Sequence, residues 1–253
     1  MLIGNRSKFI DYWSRANTGP ICFEDDSDKK IYWPKLKEIT KRWEIVYDPK
    51  HQVPTDDDML DRLWQAAIDM VVEVGVLCVD TRRIMHFTRK EIEDTVANCN
   101  DTWTVGSGKD RVSAKHRGFE DYDHINNPVS VLGRILGPVS QDIYHAIALS
   151  YAQVSEMDMC HFQGNLTEIY GQPIVPGSPW EMFAEMWSVA QVKDVCRQVC
   201  RPGLADGGIR CIDLSAIQCV MDPGWGMGKG DFRCCLTLPF HKVEFKHLTR
   251  ALQ

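Results

Sequence analysis

The glycine-rich run of residues 222–230, Asp-Pro-Gly-Trp-Gly-Met-Gly-Lys-Gly, is the segment that comes nearest to a nucleotide-binding loop. A phosphate-binding loop needs four residues between its first glycine and Gly-Lys, followed by a hydroxyl side chain that binds magnesium. Here Gly224 is one residue too close to Gly228-Lys229, and Gly230 replaces the hydroxyl. The dinucleotide-binding pattern also fails, because Lys229 stands where its third glycine should be. The run therefore predicts a flexible loop rather than a nucleotide site.

Histidine and cysteine spacing indicates no metal site. The ten cysteines include no Cys-x-x-Cys pair, which excludes the chelating pattern of zinc fingers, and we interpret them as reduced, mostly buried thiols. The histidines show no His-x-x-x-His spacing; His161 could face a barrel mouth, although a hydrogen-bonded structural role is the commoner one. The run Asp80-Thr81-Arg82-Arg83 would lie at the functional face of a barrel. Helix capping and salt bridging are the commoner roles of such residues.

Composition limits the class of protein. The chain has 253 residues, of which 44% are hydrophobic, so it can bury a sizeable core in one or two domains. Its net charge of -6 gives no basic surface of the kind that binds nucleic acid. Charged residues interrupt every apolar run, so no stretch approaches the length of a membrane span. The first residues include charges and no apolar segment, so no signal peptide is visible. We therefore expect a cytoplasmic protein without nucleic-acid or membrane partners.

Helix and strand signals alternate from Pro54 onwards. Thr55 is predicted as the N-cap of a helix that ends at Gly75. Thr88 and Glu91 fit a capping box that opens a second helix. The apolar face of the first helix is expected to comprise Leu60, Leu63, Ala67, Val71 and Val74.

The remaining elements follow from the same signals. Ser140 and Ser178 are predicted to cap two further helices, the second of which ends near Cys200, just before Arg201-Pro202-Gly203. Short helices are expected at 34–43 and 241–252, strands at 76–79, 129–132, 157–162, 210–214 and 232–238, and a hairpin at 103–105 and 111–114.

This alternation predicts βαβ units around a parallel sheet, and hence an α/β fold. We interpret the aromatic and charged residues 1–50 as an N-terminal extension. A closed barrel of eight units needs about 250 residues. The extension and the hairpin use roughly a third of the chain, which leaves room for about four or five units. The predicted architecture is a partial (β/α)8 TIM-type barrel with an N-terminal extension, in which the C-terminal half of the barrel is absent.

The order and spacing of several stretches between about Tyr12 and Gly208 match a known family: residues 53–59, 73–84, 105–110, 149–152, 174–181 and 201–203. These stretches resemble the N-terminal half of the monomethylamine methyltransferase family. The resemblance implies an enzyme that moves a methyl group from a methylamine to the cobalt of a corrinoid held on a separate protein. It therefore implies no directly bound cofactor, a cognate corrinoid protein and a small methylated amine as partners, and a homo-oligomer in the full-length family.

One departure from the family falls at its reactive residue. In the family, pyrrolysine follows Arg-Pro-Gly by three residues and precedes a glycine, and its imine ring is thought to capture the amine. Here Gly207 occupies that position and Gly208 follows, so no catalytic residue is identifiable. Arg201, Gly207 and Gly208 are the candidates for substrate binding.

Loss of the imine leaves three hypotheses open. A quaternary amine already carries a positive nitrogen and leaves as a neutral amine, so such a methyl donor needs no covalent activation. Alternatively, the chain is a non-catalytic interaction module or a gene fragment of the same family. The third hypothesis is an unrelated metal-dependent α/β enzyme.

Overall fold

The computed structural model of the chain describes residues 7–50, 52–115, 130–207, 223–228, 230–232 and 238–250. The chain divides into two compact units, Met1–Cys99 with Cys235–Gln253, and Asn100–Cys234. Both units contain helices and strands, so the predicted α/β class is confirmed. Over the described ranges the strands form sheets of two or three strands, and the partial barrel remains a prediction.

The described elements are given in chain order. The helices are α1 (Ser7–Thr18), α2 (Glu24–Asp26), α3 (Trp33–Arg42), α4 (Asp57–Val74), α5 (Arg89–Ala97), α6 (Gln141–Ala152), α7 (Pro179–Gln198) and α8 (Phe245–Arg250), with a π-helix at Ser27–Tyr32 and 3-10 turns at Gly108–Asp110 and Pro223–Trp225. The strands are β1 (Val76–Cys78), β2 (Arg83–Met85), β3 (Thr102–Val105), β4 (Val112–Lys115), β5 (Val131–Pro138), β6 (Met159–Asn165), β7 (Glu168–Ile169), β8 (Gln172–Pro173), β9 (Ala205–Asp206) and β10 (Lys242–Val243). The predicted strand 210–214 and residues 233–237 lie outside the described residues. No helix among the described residues is long and apolar enough to cross a membrane.

The first unit packs its helices around a small mixed sheet. Strand β1 pairs in parallel with β10 and antiparallel with β2. Helix α3, which confirms the prediction for residues 34–43, packs its buried Ile39 against α4. The predicted apolar face of α4 is wrong in its first turns, because Leu60 and Leu63 are 37% and 42% exposed. The core contact of α4 instead follows a four-residue spacing, Ala66, Met70 and Val74.

Helix caps in the first unit confirm some local predictions and correct others. The capping box of α5 is present as predicted, with Thr88 accepting from the Glu91 amide and Glu91 reaching back to the Thr88 amide. Helix α4 begins one residue later than predicted, with Asp56 rather than Thr55 as its N-cap. The last helix begins at Phe245 rather than at His241, because residues 242–243 pair with β1 and the Asp80 carboxylate accepts a hydrogen bond from the Phe245 amide at 2.7 Å.

An ion-pair cluster joins α3 to α4 and makes the first unit sensitive to acid. Glu73 accepts hydrogen bonds from Arg42 at 2.5 Å and from Lys35 at 2.9 Å. The bond from Arg42, followed by the bond from Lys35, lowers the pKa of Glu73 from 4.5 to about 2. A lowered pKa contributes stability that is fully present above pH 4.5 and is lost as the pH falls towards 2.

We therefore expect Glu73→Gln to have a lower urea midpoint than the wild type at about pH 7. At about pH 3 the difference between the two urea midpoints should be smaller. The effect is reduced by solvent screening, because Arg42 is 40% exposed. The control is Glu93→Gln, whose carboxylate is 48% exposed and belongs to an i,i+4 pair on α5. A gap between Glu73→Gln and wild type that stays constant with pH would contradict this role of the carboxylate.

The second unit contains three parallel strands in the order β5-β6-β9. Helix α6 lies between β5 and β6 in the chain, and α7 lies between β6 and β9, so the predicted βαβ units are confirmed. One sheet face packs against the helices through a cluster that includes Tyr144, Cys160, Val192 and Leu204. On the opposite face, Met159 and Ala205 pack against Val105 of the predicted hairpin, which β3 and β4 confirm.

Helix α7 begins with a modified capping box and ends in a Schellman motif. The Ser178 hydroxyl accepts from the Glu181 amide at 3.2 Å as predicted, but the Glu181 carboxylate accepts from the Gly177 amide at 2.7 Å. At the other end, the Arg201 amide donates to Cys196 O at 2.7 Å and the Cys200 amide donates to Arg197 O at 3.0 Å. Cys200 occupies the left-handed position of this motif, with φ of 58°, where glycine is usual.

The left-handed position of Cys200 predicts a stabilising substitution. A left-handed backbone costs a non-glycine residue about 1–2 kcal/mol. Glycine avoids this cost, but its greater conformational freedom in the unfolded chain offsets part of the gain in stability. Because the Cys200 side chain is exposed, we expect Cys200→Gly to raise the free energy of unfolding by about 0.5–1 kcal/mol. Cys200→Ala keeps the Cβ atom and is expected to leave the urea midpoint unchanged. Equal stabilisation by both variants would assign the effect to the thiol instead.

Candidate active site around Gly207

Gly207 lies directly after β9, on the sheet face opposite α6 and α7. Its amide donates to Cys160 O at 2.9 Å, so it continues the parallel pairing of β9 with β6. Side chains alternate between the faces of a strand: Leu204 packs on the helix side and Ala205 on the other. Position 207 therefore shares the face of Ala205.

The ring of Phe232 occupies the space that a side chain at position 207 would need. A Cβ atom built on Gly207 would lie 1.9 Å from Cζ of Phe232 and 2.3 Å from each of its Cε atoms. Carbon atoms that are not bonded pack at about 3.5–4.0 Å, so no side chain fits here without displacement of the ring. The space beside Gly207 is therefore sterically filled.

Contacts on both sides hold the Phe232 ring in place. Its amide donates to Asp206 O at 3.0 Å, which ties its backbone to the end of β9. The Trp103 ring meets it edge to face, with centroids 6.0 Å apart and planes at 68°. The ring also packs against the buried cluster of Val105, Met159 and Ala205. Residues from the hairpin, the sheet and the segment 230–232 thus form one apolar layer beside Gly207.

A buried carboxylate, Asp231, fixes the segment that carries Phe232. Its two oxygens lie 2.6 and 2.8 Å from Nζ of Lys193 on α7. One oxygen also accepts from the Asp206 amide at 2.7 Å, and the other accepts from the Gly228 amide at 2.8 Å. The Asp231 side chain is only 6% exposed, so this ion pair and its two amide bonds are largely shielded from water. Asp231 therefore joins α7, β9 and the glycine-rich run.

Asp110 binds the Arg201-Pro202-Gly203 loop through both of its carboxylate oxygens. One Asp110 oxygen lies 3.4 Å from Nε of Arg201, and the other accepts from the Gly203 amide at 3.0 Å. The guanidinium of Arg201 also donates to Val154 O at 3.4 Å. The Arg201 side chain is 21% exposed, and these contacts position the loop that leads into β9.

The structure places the sequence-predicted residues as follows. Arg201 and Gly207 lie at opposite ends of β9, and Gly208 lies outside the described residues. The backbone of His161 forms part of β6, and Asp80 caps α8 in the first unit. No group of three or more metal-binding side chains occurs among the residues that the structure describes. Sequence reasoning missed Phe232, Asp231 and Asp110, and no motif distinguishes them from ordinary strand and turn residues.

Comparison with known proteins assigns the chain to a family. The family described as monomethylamine methyltransferase MtmB matches residues 8–252. This chain belongs to the monomethylamine methyltransferase family. The family match also includes residues beyond Gly208, where the resemblance in the sequence fades.

Relatives in this methyltransferase family are substantially longer. Monomethylamine methyltransferase MtmB2 of Methanosarcina acetivorans is 33% identical over 198 residues, which cover 78% of this chain and 42% of that protein. MtmB of Methanosarcina mazei is 32% identical with the same coverage. The aligned residues therefore cover less than half the length of these relatives.

Two solved structures share the fold. The crystal structure of a hydroxylamine complex of MtmB matches with a TM-score of 0.83 and 27% identity, covering 96% of this chain and 52% of that chain. The crystal structure of MtmB from Methanosarcina barkeri matches with a TM-score of 0.84 and 26% identity over the same shares. The similarity covers nearly the whole of this methyltransferase-family chain and about half of each solved one.

Proposed function

We propose that this chain serves methyl transfer from a methylated amine to the cobalt of a corrinoid protein, with a donor that needs no covalent capture at position 207. The observation that carries the proposal is the contact of Gly207 with Phe232. The family's capture chemistry requires an electrophile at that position. Glycine supplies none, and the Phe232 ring leaves no space for one.

A quaternary ammonium donor satisfies the chemistry that remains. Its nitrogen already carries a positive charge, so attack by cobalt(I) on a methyl carbon breaks the carbon–nitrogen bond directly. The bonding electrons stay on nitrogen and a neutral tertiary amine leaves, with no proton to be supplied. Monomethylamine carries the same positive charge only while it is protonated, because its neutral form would have to release an amide anion. The charge of a quaternary donor does not depend on a proton, so it is the better donor without capture.

The architecture that we propose for this activity is a partial (β/α)8 barrel, with residues 1–50 as an N-terminal extension. The order β5-β6-β9, with helices between the strands, supports it. The hydrogen bond from the Phe232 amide to Asp206 O also supports it, because it lies on the edge of β9 that does not pair with β6. The corrinoid belongs to the partner protein, so the chain itself holds no cofactor. A homo-oligomeric assembly and a cytoplasmic location complete the proposal.

The test is a methyl-transfer assay with the purified full chain. A corrinoid protein reduced to cobalt(I) is mixed with the chain and with monomethylamine, tetramethylammonium or glycine betaine, and conversion to methyl-cobalt(III) is followed by absorbance. We expect conversion with a quaternary donor and none with monomethylamine. A longer relative assayed with monomethylamine verifies that the corrinoid protein is competent.

Two outcomes would contradict the proposal. Conversion with monomethylamine but with neither quaternary donor would show that capture at position 207 is not required for monomethylamine. No conversion with any donor, while the longer relative is active, would favour the non-catalytic module. In that case binding of the chain to the corrinoid protein, measured by sedimentation, separates an interaction role from none.

A further inference from the structure

A cavity of about 340 Å3 lies where three glycine-bearing loops of the second unit meet. We call it the glycine-loop cavity. The described residues that line it belong to the segments 106–107, 202–203, 223–228 and 230–231, and Lys193 and Arg197 of α7 supply its cations. Its lining includes neither Gly207 nor Phe232, but Asp231 borders both the cavity and the candidate active site.

The three loops approach one another backbone to backbone. The Gly106 amide donates to Gly230 O, and the Ser107 amide donates to Gly203 O, both at 2.9 Å. A Cβ atom on Gly106 would lie 2.3 Å from Asp110 O, one on Gly203 would lie 2.1 Å from Ser107 O, and one on Gly230 would lie 2.4 Å from Gly106 O. Side chains are therefore excluded at these points, and peptide groups form much of the wall.

The charged side chains among the described residues of the wall sum to one positive charge. Lys193 and Arg197 contribute two cations and Asp231 contributes one anion. Lys193 contacts both oxygens of Asp231, but an ammonium group has three donors, so one can be offered to the cavity. Among the described contacts, the carboxylate nearest to Arg197 is Asp194 at 4.0 Å, which also accepts from Gln198 at 2.9 Å. The guanidinium of Arg197 is therefore weakly engaged.

The helix dipole is the ordinary reason for basic residues near the end of a helix. At the end of α7, however, three of the last four carbonyl groups already accept hydrogen bonds. The amides of Val199, Cys200 and Arg201 donate to Val195 O, Arg197 O and Cys196 O, respectively. An anion beside Arg197 would therefore not face these three carbonyl groups in an unpaired state.

We propose that the glycine-loop cavity binds a small oxyanion, a phosphate or carboxylate group, between Arg197 and the glycine-bearing loops. Its volume lies at the small end of the range of ligand sites. Guanidinium groups bind planar and tetrahedral oxyanions through two parallel donors. One net positive charge among the described side chains favours such a ligand over a neutral or cationic one.

Two variants test this proposal by different means. Arg197→Gln removes the cation, and its side chain is 67% exposed, so folding should be retained. Gly228→Leu fills the cavity without altering its charge, because a Cβ atom there meets only Asp231 Oδ2 at 3.8 Å. Lys90→Gln removes an 82% exposed cation in the first unit and serves as the control.

The measurement is calorimetric titration with inorganic phosphate and with acetate, against chloride at equal ionic strength. We expect saturable binding of at least one oxyanion to the wild type and to Lys90→Gln. The affinity should fall at least about tenfold in Arg197→Gln, which loses one charge-assisted contact, and in Gly228→Leu, whose side chain occupies the space of the anion. Binding of phosphate but not of acetate, or of acetate but not of phosphate, identifies the kind of oxyanion. Equal effects of chloride, or unchanged affinity in both variants, would overturn the proposal. Thermal unfolding in anion-free buffer identifies any contribution of Arg197 that is confined to helix stability.

Discussion

Replacing Gly207 with alanine is expected to lower the free energy of unfolding by about 2–3 kcal/mol, and the same change in a Phe232→Ala background by much less. The physical reason is the 1.9 Å separation between the built Cβ atom and Cζ of Phe232. The ring cannot move without cost, because Trp103 and the cluster around Met159 hold it. Phe232→Ala alone should also lower the free energy of unfolding, by less than the about 3–5 kcal/mol of a fully buried phenylalanine, because the ring is only partly buried.

A double-mutant cycle isolates the contact between positions 207 and 232. Because a methyl group at 207 enters the space vacated by the ring, the double variant should be about 2 kcal/mol more stable than the sum of the single effects predicts. Urea unfolding of all four chains measures this coupling. Gly228→Ala is the matched glycine control, since the added Cβ atom meets nothing closer than 3.8 Å. Additive effects would mean that Phe232 does not fill the space at position 207.

Replacing Asp231 with alanine is expected to cost about 3–5 kcal/mol, the range observed when one partner of a buried ion pair is removed. The change leaves the Lys193 ammonium uncompensated where its side chain is only 17% exposed. It also removes the acceptor for the amides of Asp206 and Gly228. Urea unfolding again provides the measurement.

Two further variants separate the charge of Asp231 from its hydrogen bonds. Lys193→Met together with Asp231→Ala removes both charges, so the double variant should be more stable than Asp231→Ala alone. Asp94→Ala breaks an exposed i,i+4 pair with Lys90 and should change stability by less than about 0.5 kcal/mol. If Asp231→Ala cost no more than Asp94→Ala, the ion pair would not be what anchors the segment 228–232.

Local signals predicted those elements whose formation depends on neighbouring residues. The capping box at Thr88, the start of α7 at Ser178 and the hairpin of β3 and β4 all follow from side chains within a few positions of each other. Long-range pairing produced the errors. The last helix begins later than predicted because residues 242–243 pair with Leu77 and Cys78, far away in the chain.

The burial of α4 shows the same division. Its apolar periodicity predicted a helix correctly, but Leu60 and Leu63 at its start remain substantially exposed. Which face of a helix is buried depends on what packs against it, and here Ile39 of α3 selects Ala66, Met70 and Val74. A sequence pattern indicates that an apolar face exists, whereas the packing partner decides how far that face is buried.

For the candidate active site, the sequence by itself determined that position 207 carries no side chain, and hence no electrophile. Only the tertiary structure decided what stands there instead, because Phe232 is 25 residues away and reaches Gly207 through a fold that neither local sequence encodes. The same holds for Asp231 and for the meeting of three glycine-bearing loops. Residue identity sets the chemistry that is possible at a position, and long-range packing sets whether there is space for it.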